Sequence, residues 1–284
     1  MRKTVLVFFG LAASVFLFGQ TADSPCRDVT GVYEQYAAAL EKVEEMRQEI
    51  QNIHPLLAGL YPIALVEDNC FYVFDNVSSP VMYEPVLSRL SENELPEKLR
   101  AAFPLDFYQE KSAAVVTPDA FDTTEGYVSL FHEFVHCYQA EHHEQELKAG
   151  LRVAQEAMER GDFMWELEHP FPYEKPEFAE LYSRWLEPDP DMRERMDIRN
   201  RLRDALDPRD YEYMIWQEWK EGFARYIENE IRKMVNLPEN TGGREKPFSR
   251  VSFYAGGEVY VRFLLDQNPD LETDLAALFR RMLS

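Results

Sequence analysis

The segment His132-Glu133-Phe134-Val135-His136 combines two imidazoles and a carboxylate at the spacing of a catalytic zinc site. On a helix, residues i and i+4 lie on one face, so both imidazoles can reach a single Zn²⁺ ion at about 2 Å. Glu133 lies about 100° around the same helix from His132, where it can reach a water on the ion without being a ligand. This division of roles is typical of a general base that acts on a metal-activated water.

Such a site needs a third protein ligand and an open fourth position. One candidate is His142, because HEFVHCYQAEH has a third histidine ten residues after the first, as in the metzincin pattern HExxHxxGxxH. That pattern has a glycine that breaks the helix, and this chain has Gln139 there. On an unbroken helix, His142 would lie about 9 Å along the axis from His136, too far to share its ion.

The second candidate is Glu221, on a segment whose aromatic residues at helical spacing predict a buried helix, WQEWKEGFARYIE (216–228). Its EGFA resembles the third-ligand helix of the gluzincins, especially the aminopeptidase-N-like family, in which the Glu of EGFA binds zinc. The resemblance implies that Glu221 is the third ligand. Glu218, one turn earlier, is a further candidate for a ligand or for a carboxylate that orients a ligand histidine.

A third block extends the resemblance. FYAGGEVY (253–260) is similar to the YxKG segment of those enzymes, which implies that Tyr254 stabilises the oxyanion of a tetrahedral intermediate. The chain departs from the family pattern because 84 residues separate His136 from Glu221, and because Lys220 and Gly256 replace the family's Asn and Lys. The resemblance therefore extends to the gluzincin superfamily and not to aminopeptidase specificity.

The resemblance implies a zincin-like metallopeptidase that holds one Zn²⁺ ion and hydrolyses a peptide or protein substrate, with Glu133 as general base. Two other classes of function stay open: a non-catalytic binding protein that keeps the fold, and a zinc hydrolase that acts on a non-peptide amide or ester. The strand-like run at 113–117 is a candidate edge strand for pairing with an extended peptide.

The apolar pattern predicts a predominantly helical α+β domain with a small N-terminal sheet, an active-site helix and a helical C-terminal part. Strands are expected at 70–74 and 113–117, with a helix at 96–103 between them. Further helices are expected at 30–53, from Thr123 or Thr124 onward, and at 145–160, 176–186, 190–206, 208–235, 251–267 and 271–283. The stretch of about 145–207 is a helical insertion that either covers the cleft as a lid or braces the core.

Residues 1–22 have the order of a secretory signal peptide: Arg2 and Lys3, an apolar run from Val5 to Phe18, and the small residues Gly19 and Ala22. We therefore expect a secreted or periplasmic protein with one mature domain, 23–284, and no stable membrane association after cleavage. An N-terminal membrane anchor is the alternative. Of the 284 residues, 45% are apolar and the formal charge is −21, which argues against nucleic acid and anionic membranes as partners.

The chain has three cysteines, and a secreted or periplasmic location bears on their pairing. In an oxidising environment, Cys26 and Cys70 are the plausible disulfide pair. Cys137 lies inside the zinc motif and is expected to be a small buried apolar residue.

Overall fold

The computed structural model describes residues 26–78, 82–188 and 190–284. The strands are β1 (Ile63–Glu67), β2 (Cys70–Asp75), β3 (Glu84–Leu90), β4 (Arg100–Leu105) and β5 (Lys111–Val116). The helices are α1 (Val29–Ile50), α2 (Thr124–Gln139), α3 (Gln145–Ala149), α4 (Arg152–Arg160), α5 (Trp165–Glu168), α6 (Pro176–Trp185), α7 (Met192–Ala205), α8 (Pro208–Met234), α9 (Ser252–Gln267) and α10 (Leu275–Leu283). The predicted signal peptide, 1–22, lies outside the described residues.

The five strands form one mixed sheet in the order β3-β2-β1-β5-β4. Strands β1 and β5 are parallel, and the other neighbours are antiparallel. Alternate residues of β1 face opposite sides: Ile63 and Leu65 join the main helical core, whereas Ala64 and Val66 join a smaller apolar cluster. The prediction of a mostly helical α+β chain with a small sheet is confirmed.

Two predictions about the sheet are wrong. The run at 113–117 is not an edge, because β5 lies between β1 and β4. Its residues from Ser112 to Val116 are all buried, as expected for a strand with neighbours on both sides. The expected helix at 96–103 is absent: Lys98 has a left-handed φ of 55°, and the chain then enters β4. Pairing with β5 outweighs the local helix propensity, and Pro104 is tolerated because β4 is one of the two edge strands of the described sheet.

The other helix predictions are confirmed with shifted ends. The predicted 145–160 helix is divided into α3 and α4 at Gly150 and Leu151, where Leu151 is extended (φ −95°, ψ 126°). The last helix starts only at Leu275, after a 3-10 turn at Pro269–Glu272. Thr123 sets the start of α2, because its side chain accepts a hydrogen bond from the Gly126 amide at 3.1 Å.

Cys26 and Cys70 form a disulfide, as predicted, which ties the segment before α1 to the start of β2. Cys137 is free and fully buried, also as predicted. Along the part of the chain that the structure describes, none of the helices combines the length and apolar character that a bilayer crossing needs.

The inserted stretch between α2 and α8 packs against the core with one part and lines a cavity with another. Helices α6 and α7 brace the core: Trp185 donates a hydrogen bond to the Gly256 carbonyl at 2.9 Å, and Arg199 forms an ion pair with Glu218 at 2.7 Å. The segment around α5 instead lines the cavity described below. The bracing role is thus observed for α6 and α7, whereas the segment around α5 lines the cavity.

Candidate metal centre

Helix α2 is buried almost throughout and packs against β4, β5 and α8. One face carries Leu130, Phe131 and Phe134 into the core, all at most 2% exposed. His132, Glu133 and His136, each 7% exposed, lie at the floor of a cavity of about 500 Å³. The helical period therefore directs apolar side chains into the core and these three polar side chains into the cavity.

His132, His136 and Glu221 come together in this cavity, with one ligand atom from each lying within 4.8 Å of the others. The two Nε2 atoms are 3.1 Å apart, and Oε2 of Glu221 lies 3.7 Å from Nε2 of His132 and 3.2 Å from Nε2 of His136. Ligands about 2 Å from a tetrahedral metal are separated by about 3.4 Å. These three side chains could therefore hold one metal ion.

The Nδ1 atom of each imidazole has an acceptor. His132 donates to Oε2 of Glu228 at 3.1 Å, and His136 donates to Oε1 of Gln139 at 2.9 Å. Gln139 is itself held by the Lys220 carbonyl, to which its Nε2 donates at 3.1 Å. These bonds leave both Nε2 lone pairs directed at the same point, the arrangement that metal-binding histidines adopt.

Guanidinium groups pair with two of the carboxylates at the site. Glu228 lies 3.2 Å from Arg225 and 3.6 Å from Arg232, and Oε1 of Glu221 lies 3.0 Å from Arg250. Arg250 contacts Oε1, so the other oxygen of Glu221, Oε2, stays beside the two imidazoles. One carboxylate oxygen next to two imidazole nitrogens is a donor set that fits a divalent metal.

The same charges shift the pKa values of the site. Burial alone lowers the pKa of His132, but hydrogen bonds to Glu221 and Glu228 raise it to about 10. Burial alone would raise the pKa of Glu221, whereas the imidazoles of His136 and His132 hold it well below its usual range. Without a metal, protons are therefore favoured at the place where a cation would lie.

Glu133 projects into the cavity beside the three possible ligands. Burial raises the pKa of its carboxyl group, and the neighbouring imidazoles of His136 and His132 oppose that rise. A carboxylate with a raised pKa, held next to a possible metal site, is suited to accept and release a proton near neutral pH.

Tyr254 reaches the cavity from α9. Its ring stacks on the His132 ring with 6.2 Å between centroids and an 11° interplanar angle, and the Arg225 and Arg250 guanidinium groups lie 5.4 and 5.5 Å from its centroid. Burial, followed by the Glu221 carboxylate, raises the pKa of Tyr254. The phenol therefore stays protonated at neutral pH and can donate a hydrogen bond.

Two glycines allow α9 to bring Tyr254 this close to α8. A Cβ on Gly222 would lie 2.3 Å from the Gly257 Cα, and a Cβ on Gly257 would lie 2.2 Å from the Glu218 carbonyl oxygen. Neither position has space for a side chain. Helices α8 and α9 therefore make their close approach at Gly222 and Gly257.

The two other candidate ligands lie elsewhere. His142 is exposed, on a π-helical turn (Ala140–Glu144) that continues α2, and its ring contacts Tyr138 with 4.5 Å between centroids. Glu218 is fully buried, but both of its oxygens accept hydrogen bonds from Arg199, and Oε1 also accepts one from Tyr182. The carboxylate that accepts a hydrogen bond from His132 is Glu228 and not Glu218.

Sequence reasoning missed Glu228, Gln139 and Arg250. Two of them could have been found from helical spacing: Glu228 follows Glu221 by seven residues, two turns along the same face, and Gln139 follows His136 by three. No helical spacing pointed to Arg250, because it lies in the turn before α9 and reaches Glu221 only through the tertiary fold.

Comparison with protein-family models, with curated proteins and with solved structures found no match to this chain. What can be inferred about the site thus comes from its geometry and chemistry: two imidazoles and a carboxylate in bonding reach of one point, oriented by hydrogen bonds, with a further carboxylate beside them in a cavity.

Proposed function

We propose that this protein is a zinc-dependent peptide hydrolase of the zincin type, with His132, His136 and Glu221 as metal ligands and Glu133 as general base. The observation that carries the proposal is the 3.1–3.7 Å triangle of Nε2, Nε2 and Oε2 atoms, with Glu133 in the same cavity. Two histidines and one glutamate are a donor set of catalytic zinc sites, which keep a fourth position open.

A zinc ion bound there would supply Lewis acidity, which acidifies a water and polarises a carbonyl oxygen. The residues of the chain would transfer the proton and stabilise the carbonyl oxygen. A carboxylate oxygen of Glu133 takes the proton that the attacking water gives up, and the resulting carboxylic acid passes it to the nitrogen of the leaving amine. The phenol of Tyr254 donates a hydrogen bond to the carbonyl oxygen as that oxygen gains negative charge.

Edge strand β4 supports a peptide as the substrate. Ala101, Ala102 and Phe103 line the cavity from one side, and within the described sheet β4 has a neighbour only in β5. A strand with one free edge can pair with an extended peptide through main-chain hydrogen bonds. Such pairing would lead the peptide backbone past Glu133 and Tyr254.

A secreted or periplasmic location is part of the same proposal. The Cys26–Cys70 disulfide supports it, because disulfides persist in oxidising compartments. Sequencing the N-terminus of the protein exported by an expressing cell tests it. A mature chain that begins close to residue 23 supports the signal peptide, whereas export with residues 1–22 retained supports the alternative membrane anchor.

The function is tested by metal analysis together with a digest of a mixed peptide library. We expect one zinc per chain, cleavage of peptides, and loss of both zinc and cleavage with a chelator. The Glu133→Gln variant should keep its zinc and lose turnover by at least about 100-fold, since general base catalysis contributes 10²–10⁴-fold. Zinc without cleavage of any peptide would contradict the peptidase proposal and favour a binding protein or a hydrolase of other amides and esters.

A further inference from the structure

Three large apolar side chains stand exposed at the cavity that holds the candidate metal centre. Phe163 is 87% exposed, Leu167 is 55% exposed and Phe103 is 39% exposed, and all three line this cavity. Exposed apolar groups that lie together at a cavity mouth are typical of binding sites, because folding alone gains nothing from their exposure. Phe163 and Leu167 come from the inserted stretch, and Phe103 comes from β4.

The inserted segment is held firmly against the helix that carries Glu221. The carboxylate of Glu166 accepts hydrogen bonds from the Trp216 indole at 3.0 Å and from the Lys220 ammonium at 2.9 Å. The Glu166 carbonyl oxygen accepts two more, from Gln217 at 2.7 Å and from Tyr213 at 3.1 Å. Glu166 therefore fixes the segment that presents Phe163 and Leu167, as a specificity site requires.

The charged side chains that line the cavity, apart from Glu133 and the possible ligand Glu221, are already paired. Arg100 pairs with Asp119 at 2.8 Å, Lys220 pairs with Glu144 at 3.0 Å as well as with Glu166, and Arg250 pairs with Glu221. These cations are thus committed within the protein. These ion pairs favour recognition of apolar side chains over recognition of a free terminal carboxylate.

From these contacts we infer that Phe163, Leu167 and Phe103 form a specificity pocket for a large apolar side chain of an internal peptide segment. This inference rests on the proposed function for its substrate class. A peptide paired with β4 directs alternate side chains to the same side, so one of them can meet the inserted segment while its backbone passes the metal centre. Phe163, Leu167 and Phe103 are then specificity residues, and Glu166 is a positioning residue.

The test measures binding without cleavage. The zinc-loaded Glu133→Gln protein is titrated with a peptide that is acetylated and amidated at its ends and carries one central Phe among Gly, Ala and Ser. The same peptide with Ser in place of Phe is the comparison. We expect the Phe peptide to bind about tenfold to hundredfold more tightly, the range expected for burying one large apolar side chain.

Added to Glu133→Gln, the substitutions Phe163→Ala and Leu167→Ala should reduce this preference to about threefold or less. The matched control is Met158→Ala with Met192→Ala, because these side chains are 71% and 58% exposed but do not line the cavity. The control should keep the preference. All four substituted side chains are largely exposed, so both variants should fold, which circular dichroism and zinc content verify.

The inference is overturned if the parent protein binds both peptides equally or binds neither, if the Phe163 and Leu167 variant keeps the preference, or if the control loses it equally. Hydrolysis by the wild-type protein is scored separately. Preferential binding of the Phe peptide with no cleavage would contradict the proposed hydrolysis and support the specificity pocket. Cleavage of both peptides at equal kcat/KM would support the hydrolysis and contradict the pocket.

Discussion

Nδ1 of His132 donates a hydrogen bond to Oε2 of Glu228 at 3.1 Å, and Glu228 lies two helical turns beyond Glu221 on α8. One helix therefore supplies both a possible metal ligand and the carboxylate that orients another. Glu228 is held in turn by Arg225 at 3.2 Å and by the Asn240 side chain at 2.8 Å. The geometry of the centre thus depends on the segment around Asn240 as well as on the two helices.

Replacing Glu228 with Gln should weaken zinc binding by about tenfold to hundredfold, because the charged acceptor that orients His132 and increases its basicity is lost. Competition with a calibrated chelator measures the affinity. Glu230→Gln is the matched control: it lies on the same helix but pairs with Arg262 at 2.8 Å, away from the imidazoles. Equal zinc affinity in wild type and Glu228→Gln would contradict the orienting role.

Removing the Glu221 carboxylate should weaken zinc binding further than the Glu228 change does, because a ligand is lost and not only its support. Glu221→Ala and His142→Ala are compared by zinc stoichiometry and affinity. The exposed His142 should be dispensable. If the His142 variant loses zinc and the Glu221 variant retains it, the metzincin-like alternative is correct and the third ligand proposed here is wrong.

Tyr254→Phe should lower kcat by about 10²–10³ with little change in KM or zinc content, because the phenol O–H acts only as the oxyanion forms. Tyr226→Phe serves as control: its hydroxyl donates to Glu272 at 3.0 Å, outside the cavity. Steady-state kinetics on one peptide measures both variants. A Tyr254→Phe enzyme with wild-type kcat would restrict Tyr254 to packing against His132.

The free energy of unfolding should decrease when the pH is lowered below about 6.5, because of the buried His54, which is 3% exposed. Its Nδ1 accepts from the Leu56 amide at 3.1 Å, and its Nε2 donates to the Glu272 carbonyl at 2.7 Å, so only the neutral ring satisfies both partners. Burial lowers the pKa of His54, against the smaller opposing effect of Glu272.

The folded pKa of His54 lies below the unfolded value of about 6.5. The neutral ring therefore contributes fully to the free energy of unfolding above that pH, and this contribution is lost as the pH falls toward the folded pKa. The free energy of unfolding decreases for this reason by at most about 1.4 kcal/mol per pH unit. Urea unfolding of wild type and His54→Asn between pH 7.5 and 5 measures it. The variant should show a shallower decline, while the exposed control His142→Asn should follow wild type. Parallel curves for wild type and His54→Asn would rule out this role.

The sequence by itself determined the local features of this protein. Helical spacing brings His132 and His136 to one face of a helix with Glu133 beside them, since that relationship depends only on the helical repeat. The same period predicted most helices, and the three cysteines were assigned correctly. The association of Glu221 with the histidines was expected only through a resemblance between short segments.

The tertiary structure decided which distant groups meet. Within the described sheet, strand order made β4 an edge strand and β5 an inner one, because strand pairing between separate segments overrides the helix propensity around Lys98. The crossing of α8 and α9 at Gly222 and Gly257 brought Arg250 to Glu221. Such contacts join residues far apart in the chain, and their energies depend on packing and burial that no local pattern contains.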